Sequence, residues 1–170
     1  MNKRYIFKIL DNENYIKGKI KYDGLEFLFE KQSEEVFKCK RSIFILYIGA
    51  GYNRIIFLEK SKKGDWFGGF NNRSNWINRN LEFPKSVKGE LYLECEIEKT
   101  DGNDILDEWY IEDWSTYYDK EKNIVCIGDY NINNNDIAVE FCENIIAVLE
   151  EKYLKAIWIK NIEFVDDVKI

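Results

Sequence analysis

The chain has 170 residues, of which 45% are hydrophobic and 16% aromatic, and this composition excludes intrinsic disorder. It contains no histidine, which excludes Ser-His-Asp and Cys-His catalysis and most catalytic zinc sites. The formal net charge of −6 is opposite in sign to that of a typical nucleic-acid binder. We therefore expect one soluble domain, residues 1–170, that has no catalytic residues, no cofactor and no nucleic-acid partner.

The four cysteines, Cys39, Cys95, Cys126 and Cys142, are spaced too widely for a zinc ribbon or a disulfide scaffold. We expect buried thiols in a reducing compartment and no metal site. The N-terminal apolar stretch ends at Asp11, which is too early for a signal peptide. No apolar run approaches the roughly 18 residues that a membrane span needs. These features predict a cytoplasmic protein without a membrane partner.

The first third of the chain reads as strands. Residues 5–10 and 15–22 flank a polar turn and predict a hairpin, and Asp23-Gly24 leads into a third strand over 25–30. Residues 42–48 are almost all apolar and predict a strand that is buried on both faces. The next predicted strand, 53–59, pairs with it as a second hairpin.

The middle of the chain is less regular. Residues 64–84 combine large aromatic side chains with glycines and asparagines that break any simple periodicity. Residues 90–98 alternate cleanly between apolar and polar, as a half-exposed strand does. Residues 114–118 and 123–127 predict a hairpin around a charged turn.

A helix is predicted from about Asp136 to Lys152. Apolar positions 137, 138, 141, 142, 145, 148 and 149 are spaced by three and four, and Asn135 or Asp136 can cap the start. A last strand follows over 154–160. Strands and helices do not alternate along the chain, so a parallel sheet is not expected. The predicted fold class is therefore α+β, mostly antiparallel sheet with one main C-terminal helix.

The most asymmetric segment in charge runs from Asp101 to Glu121. It holds eight acidic residues against one lysine, a local charge of −7, interleaved with Trp and Tyr. Carboxylates steer a basic partner and large aromatic rings anchor it, although a solvated charged face over core aromatics gives the same pattern. The predicted partner-binding residues are Asp104, Asp107, Glu108, Trp109, Glu112, Asp113, Trp114, Tyr117 and Tyr118.

Two other chemistries stay open. A pair of carboxylates could support a glycoside hydrolase, although 31 acidic residues make such a pair unspecific. A mixed basic and aromatic patch could stack nucleic-acid bases, and Glu59 and Asp65 dilute its charge. The patch comprises Arg54, Lys60, Lys62, Lys63, Trp66, Phe67, Arg73, Trp76 and Arg79.

Three segments of the C-terminal third, Asn123–Asp129, Ala138–Leu149 and Leu154–Lys160, resemble the tail of a bacterial immunity-protein family. The resemblance implies a small cytoplasmic inhibitor, encoded beside a polymorphic or contact-dependent growth inhibition toxin, that binds and neutralises a toxin domain, often a nuclease. Such families share no catalytic motif, so no residue role is carried over. A different protein-binding or scaffold module is the alternative, and a carboxylate-based hydrolase is a third.

Overall fold

The computed structural model describes the backbone of residues 5–32, 43–48, 53–94, 105–111 and 113–165, and their side chains apart from those of residues 43, 44 and 105–111. Over these residues the chain forms fifteen strands and one short 3-10 helix, Arg73–Asn75. The strands are β1 (Phe7–Asp11), β2 (Gly18–Tyr22), β3 (Glu26–Lys31), β4 (Ile43–Ile48), β5 (Asn53–Leu58), β6 (Gly64–Phe70), β7 (Ile77–Asn78), β8 (Val87–Leu93), β9 (Ile105–Ile111), β10 (Thr116–Asp119), β11 (Ile124–Gly128), β12 (Ile137–Cys142), β13 (Ile145–Glu150), β14 (Tyr153–Lys160) and β15 (Glu163–Phe164).

The strands form two mixed sheets. The eight-stranded sheet has the order β1-β8-β12-β13-β14-β11-β10-β7, and the seven-stranded sheet has the order β15-β2-β3-β6-β5-β4-β9. Most neighbours are antiparallel, but within the described residues four pairs are parallel: β7 with β10, β8 with β12, β2 with β15, and β4 with β9. The parallel pairs were not expected from the sequence.

The two sheets pack face to face around one main core. Phe7 on β1 and Phe57 on β5 show the contact between the sheets, with ring centroids 5.9 Å apart. A second cluster, here called the outer cluster, covers the opposite face of the eight-stranded sheet. In it Leu81 and Phe83, from the stretch between β7 and β8, lie over strand residues such as Trp158. The central strands of this sheet are therefore covered on both sides.

The predicted helix over Asp136–Lys152 is wrong, and with it the α+β fold class. This segment is the hairpin β12–β13, and Asn144 in its turn has a φ of 67°. Ile145 lies in the main core and the next residue, Ile146, lies in the outer cluster. A strand that is buried on both faces is a continuous apolar run, and periodicity alone does not separate such a run from a buried helix.

The hairpin predictions have mixed outcomes. The predicted turn at Asp23-Gly24 is confirmed and joins β2 to β3 as a hairpin. The predicted hairpins β4–β5 and β10–β11 and the strand β14 are also confirmed. The hairpin predicted from residues 5–22 is wrong, because β1 pairs with β8 and β2 pairs with β3 in the other sheet. The turn between β1 and β2 is instead a crossing between sheets, where the Asn12 side chain donates a hydrogen bond to Glu90.

Burial tests two further strand predictions. In β4 the consecutive residues Ile45 and Leu46 are both buried, which confirms burial on both faces. The strand predicted over 90–98 is β8, and its last part, with Cys95, lies outside the described residues, as does Cys39. Cys126 and Cys142 are free and buried, and burial raises the pKa of both thiols.

None of the helical segments in the described ranges has the length and apolar character needed to cross a membrane.

Candidate functional site

The predicted acidic and aromatic segment passes from one sheet to the other. Asp107, Glu108 and Trp109 belong to β9, at the edge of the seven-stranded sheet, where the register pairs Glu108 with Ile45 and Trp109 with Leu46. Asp104 and Glu112 lie outside the described residues. The structure therefore does not bring the predicted residues together on one described surface.

The two tyrosines of β10 point to opposite faces of their sheet. Tyr117 contacts Tyr130 at the outer cluster, with centroids 4.6 Å apart. Tyr118 is 6% exposed and packs in the main core beside Trp76. Of the nine predicted residues, Asp113 is exposed and Trp114 is half-buried, just before β10.

Trp114 lies in an open cleft at one end of the eight-stranded sheet. Because neighbouring strands are antiparallel, the start of β10, the end of β11, the end of β13 and the start of β14 all meet there. The cleft has a volume of about 460 Å³. We call it the acidic cleft; it is lined by Trp114, Asp129, Glu150, Glu151, Tyr153, Leu154 and Lys155.

A glycine allows the Trp114 ring to approach the sheet. Gly128 has a φ of +113°, which L side chains rarely adopt. A Cβ atom there would lie 3.0 Å from Trp114 Cε3 and 2.6 Å from the carbonyl oxygen of Lys155. The Gly128 N–H donates to the carbonyl of Ser115 at 3.0 Å, which holds the residue next to Trp114 against β11. The cleft wall therefore depends on a residue without a side chain.

A buried ion pair lies beneath the cleft. Lys155 Nζ donates to Asp136 Oδ2 at 2.6 Å, and both side chains are 4% exposed. Lys155 occupies a bulge in the β13–β14 ladder, and Asp136 Oδ2 also accepts the backbone N–H of Asn133 at 2.9 Å. The positive charge of Lys155 is therefore balanced within the fold.

The acidic rim is not balanced in this way. Asp129, Glu150 and Glu151 are all exposed, and none forms an ion pair with a described residue. Asp129 Oδ1 accepts the backbone N–H of Asn131 at 2.9 Å, while the side chains of Glu150 and Glu151 have no hydrogen-bond partner in the described ranges. With the Lys155–Asp136 pair neutral, the rim contributes three negative charges to the cleft.

Trp114 differs from the other tryptophans with described side chains. Trp66 Nε1 donates to the Phe29 carbonyl and Trp76 Nε1 donates to Asn71, each at 2.8 Å. Trp158 packs its ring edge-on against another aromatic ring. Trp114 packs partly on the main core, but neither its ring nor its N–H has a specific partner in the described part of the chain.

The basic and aromatic patch that was predicted as an alternative forms contacts within the protein. Phe67 is buried and Trp76 packs against the main core. Lys63 pairs with Glu90 at 3.1 Å. The described arginines lie over aromatic rings: Arg54 over Trp66 at 5.5 Å, Arg73 over Tyr118 at 5.7 Å and Arg79 over Tyr130 at 4.0 Å. All three arginines are nevertheless exposed, so these contacts leave their charges at the surface.

Sequence reasoning found Trp114 but missed the rim carboxylates and Tyr153. Glu150 and Glu151 fall in the segment predicted as a helix, where they would belong to an ordinary polar face. A signal was present, since two adjacent acids at the end of the apolar run 145–149 mark a strand end as well as a helix end. Within the described ranges, no three His, Cys, Asp or Glu side chains are grouped so that they could hold a metal ion.

The described residues thus define a two-sheet β protein with an acidic, aromatic-lined cleft at one end of its larger sheet. No family model and no curated protein matches the chain.

Proposed function

We propose that this protein is a binding protein without catalytic activity of its own, and that it neutralises a bacterial toxin domain by masking a basic surface of that domain. The observation that carries the proposal is the acidic cleft. Its rim holds three exposed carboxylates without an ion pair in the described residues, beside a tryptophan whose ring has no specific partner there.

This combination suits recognition of a basic protein. Unpaired carboxylates steer a cationic partner and accelerate association, and a half-buried tryptophan gains apolar contact when a partner covers it. Many toxin nucleases carry basic surfaces because they bind phosphates. The C-terminal resemblance to immunity proteins supports a toxin domain as the partner.

The test begins with the genes that adjoin this one. The proposal expects a large secreted protein with a short C-terminal toxin domain. The purified toxin domain should bind this protein with sub-micromolar affinity, co-expression should restore growth of cells that make the toxin, and added salt should slow association.

Two results would overturn the proposal. One is the absence of any toxin domain encoded beside this gene. The other is a purified neighbouring toxin domain that shows no binding at micromolar concentration and kills cells equally with and without this protein.

A further inference from the structure

We propose that the acidic cleft takes one arginine side chain of a protein partner. This inference deepens the proposed function and rests on it for the identity of the partner, but not for the chemistry of the cleft.

The size and charge of the cleft favour a single long cationic side chain. Its volume of about 460 Å³ lies in the lower part of the range of ligand pockets, so it accommodates a side chain and not a whole strand or helix. The rim supplies three carboxylates, and the lysine beneath is already paired with Asp136. A cation that enters the cleft therefore meets unbalanced negative charge.

The aromatic lining favours a guanidinium group. Each described arginine has its guanidinium carbon 4.0 to 5.7 Å from an aromatic ring centroid. Three lysines also lie over rings, at 5.0 to 5.6 Å, so the choice between the two cations depends on the chemistry of the tryptophan ring and of the carboxylates. The Trp114 ring carries no such cation among the described residues, and tryptophan is the best aromatic partner for one. A planar, weakly hydrated guanidinium stacks on such a ring better than a compact ammonium does.

The placement of the carboxylates also favours arginine over lysine. Asp129 follows β11, whereas Glu150 ends β13 and Glu151 begins the turn to β14, so the rim acids approach from two parts of the sheet. A guanidinium has five N–H donors in a fixed fork and can bond carboxylates on two sides, whereas an ammonium acts as a point charge.

Three capped tripeptides, each with one central residue between glycines, test the inference by NMR titration of the ¹⁵N-labelled full chain. The central residues are arginine, lysine and citrulline, the neutral analogue of arginine. We expect the arginine peptide to bind in the millimolar range and to shift the Trp114 indole N–H and the amides of Asp129 and Glu151. The lysine peptide should bind several-fold more weakly, and citrulline should give no saturable shift.

Two charge-matched double variants localise the binding. Glu150→Gln with Glu151→Gln removes two rim charges, and we expect affinity for the arginine peptide to fall about fivefold, the size of an exposed ion pair. Glu82→Gln with Glu121→Gln removes two exposed charges outside the cleft and should leave the affinity unchanged. All four glutamates are exposed, so both variants are expected to fold.

The inference is overturned if the arginine peptide gives no saturable shift at the cleft, if lysine or citrulline binds equally well, or if the two double variants behave alike. These outcomes are separable from those of the proposed function. If the arginine peptide binds and the toxin domain does not, the proposed cleft chemistry is supported and the toxin is refuted as the partner. If the Glu150→Gln, Glu151→Gln double variant binds the toxin domain as the wild type does, the inhibitor function is supported and the cleft is refuted as the binding surface.

Discussion

The two ends of strands β10, β11 and β14 carry carboxylates in opposite circumstances. At one end Asp119 accepts the backbone N–H groups of Leu81 at 2.9 Å and Lys122 at 3.2 Å, and its Oδ2 lies 3.6 Å from Lys122 Nζ. At the other end, the carboxylates of Glu150 and Glu151 in the acidic cleft have no partner among the described residues. We call the first the Asp119 end.

Within one sheet, the carboxylate at the Asp119 end contributes to stability, whereas those of the acidic cleft are candidates for binding. At the Asp119 end a buried carboxylate fixes the stretch that carries Leu81 over the outer cluster. At the acidic cleft the side chains of Glu150 and Glu151 form no ion pair or hydrogen bond with a described residue. Exposed carboxylates of this kind, beside a tryptophan whose ring has no specific described partner, are the better candidates for contact with another molecule.

The largest expected effect comes from removing the ion pair beneath the cleft. Lys155→Ala leaves Asp136 buried and uncompensated, and we expect a loss of about 3–5 kcal/mol in the free energy of unfolding. Chemical denaturation measures it. The control is Lys155→Met combined with Asp136→Asn, which removes both charges and should cost far less. Equal losses in the two proteins would contradict the account of the pair.

A second test concerns the strand that leads into the cleft. Ile145 and Ile146 are both 0% exposed but lie in different clusters, because successive strand residues point to opposite faces. We expect Ile145→Ala and Ile146→Ala each to destabilise the protein by about 2–5 kcal/mol. Ile137→Ala, at an exposed position of β12, is the control with a small effect. A large loss at only one of the two buried positions would contradict the burial of β13 on both faces.

The cleft wall is probed at Gly128. Gly128→Ala forces a side chain onto a φ of +113° and against the Lys155 carbonyl, so we expect a loss of more than about 1 kcal/mol and a shifted Trp114 indole resonance. Gly64→Ala is the matched control, because the nearest atoms to its added Cβ lie 3.4 Å away. An undisturbed Trp114 resonance in Gly128→Ala would show that the ring does not rest on this glycine.

The Asp119 end has a pH signature. The hydrogen bond from the Leu81 N–H lowers the pKa of Asp119 below its ordinary value of 3.8 against the opposing effect of burial, and Lys122 lowers it further. A lowered pKa in the folded state stabilises the protein above that ordinary value, and the contribution is lost as the pH falls through the folded-state pKa.

Asp119→Asn should therefore be less stable than the wild type at neutral pH, and the difference should shrink below about pH 4. Denaturant melts of both proteins from neutral to acid pH measure this convergence. Glu121→Gln, in the same turn, serves as the control and should remain close to the wild type. A difference that is independent of pH would mean that the Asp119 charge does not stabilise the fold.

How much of the fold could be predicted from the sequence depends on whether a strand is buried on one face or on both. In β2 the exposed Lys19 lies between buried Gly18 and Ile20, so alternation predicted the strand, and the Asp23-Gly24 turn predicted the start of β3. In β12 and β13 both faces are buried, alternation disappears, and the sequence reads as a helix. Local turns also do not reveal which strands pair across the chain, and so the separation of β1 from β2 was missed.

The sequence predicted only part of the candidate site, because the site combines a local segment with long-range strand pairing. The charge and aromatic pattern identified Trp114 from a local segment. The carboxylates opposite Trp114 reach it only because β11 pairs with β14 and β14 with β13, as in the contact of Ile127 with Ile157. That register is a long-range property, which no local window of the sequence contains.

The most direct test of the central claim is a calorimetric titration of the proposed toxin domain into two charge-matched proteins. One carries Glu150→Gln and Glu151→Gln, the other Glu82→Gln and Glu121→Gln, and both should unfold within about 0.5 kcal/mol of the wild type. We predict that the first loses at least fivefold in affinity and much of its salt dependence, while the second binds as the wild type does. Equal affinity of the two variants for the toxin domain would contradict the assignment of the acidic cleft as the binding surface.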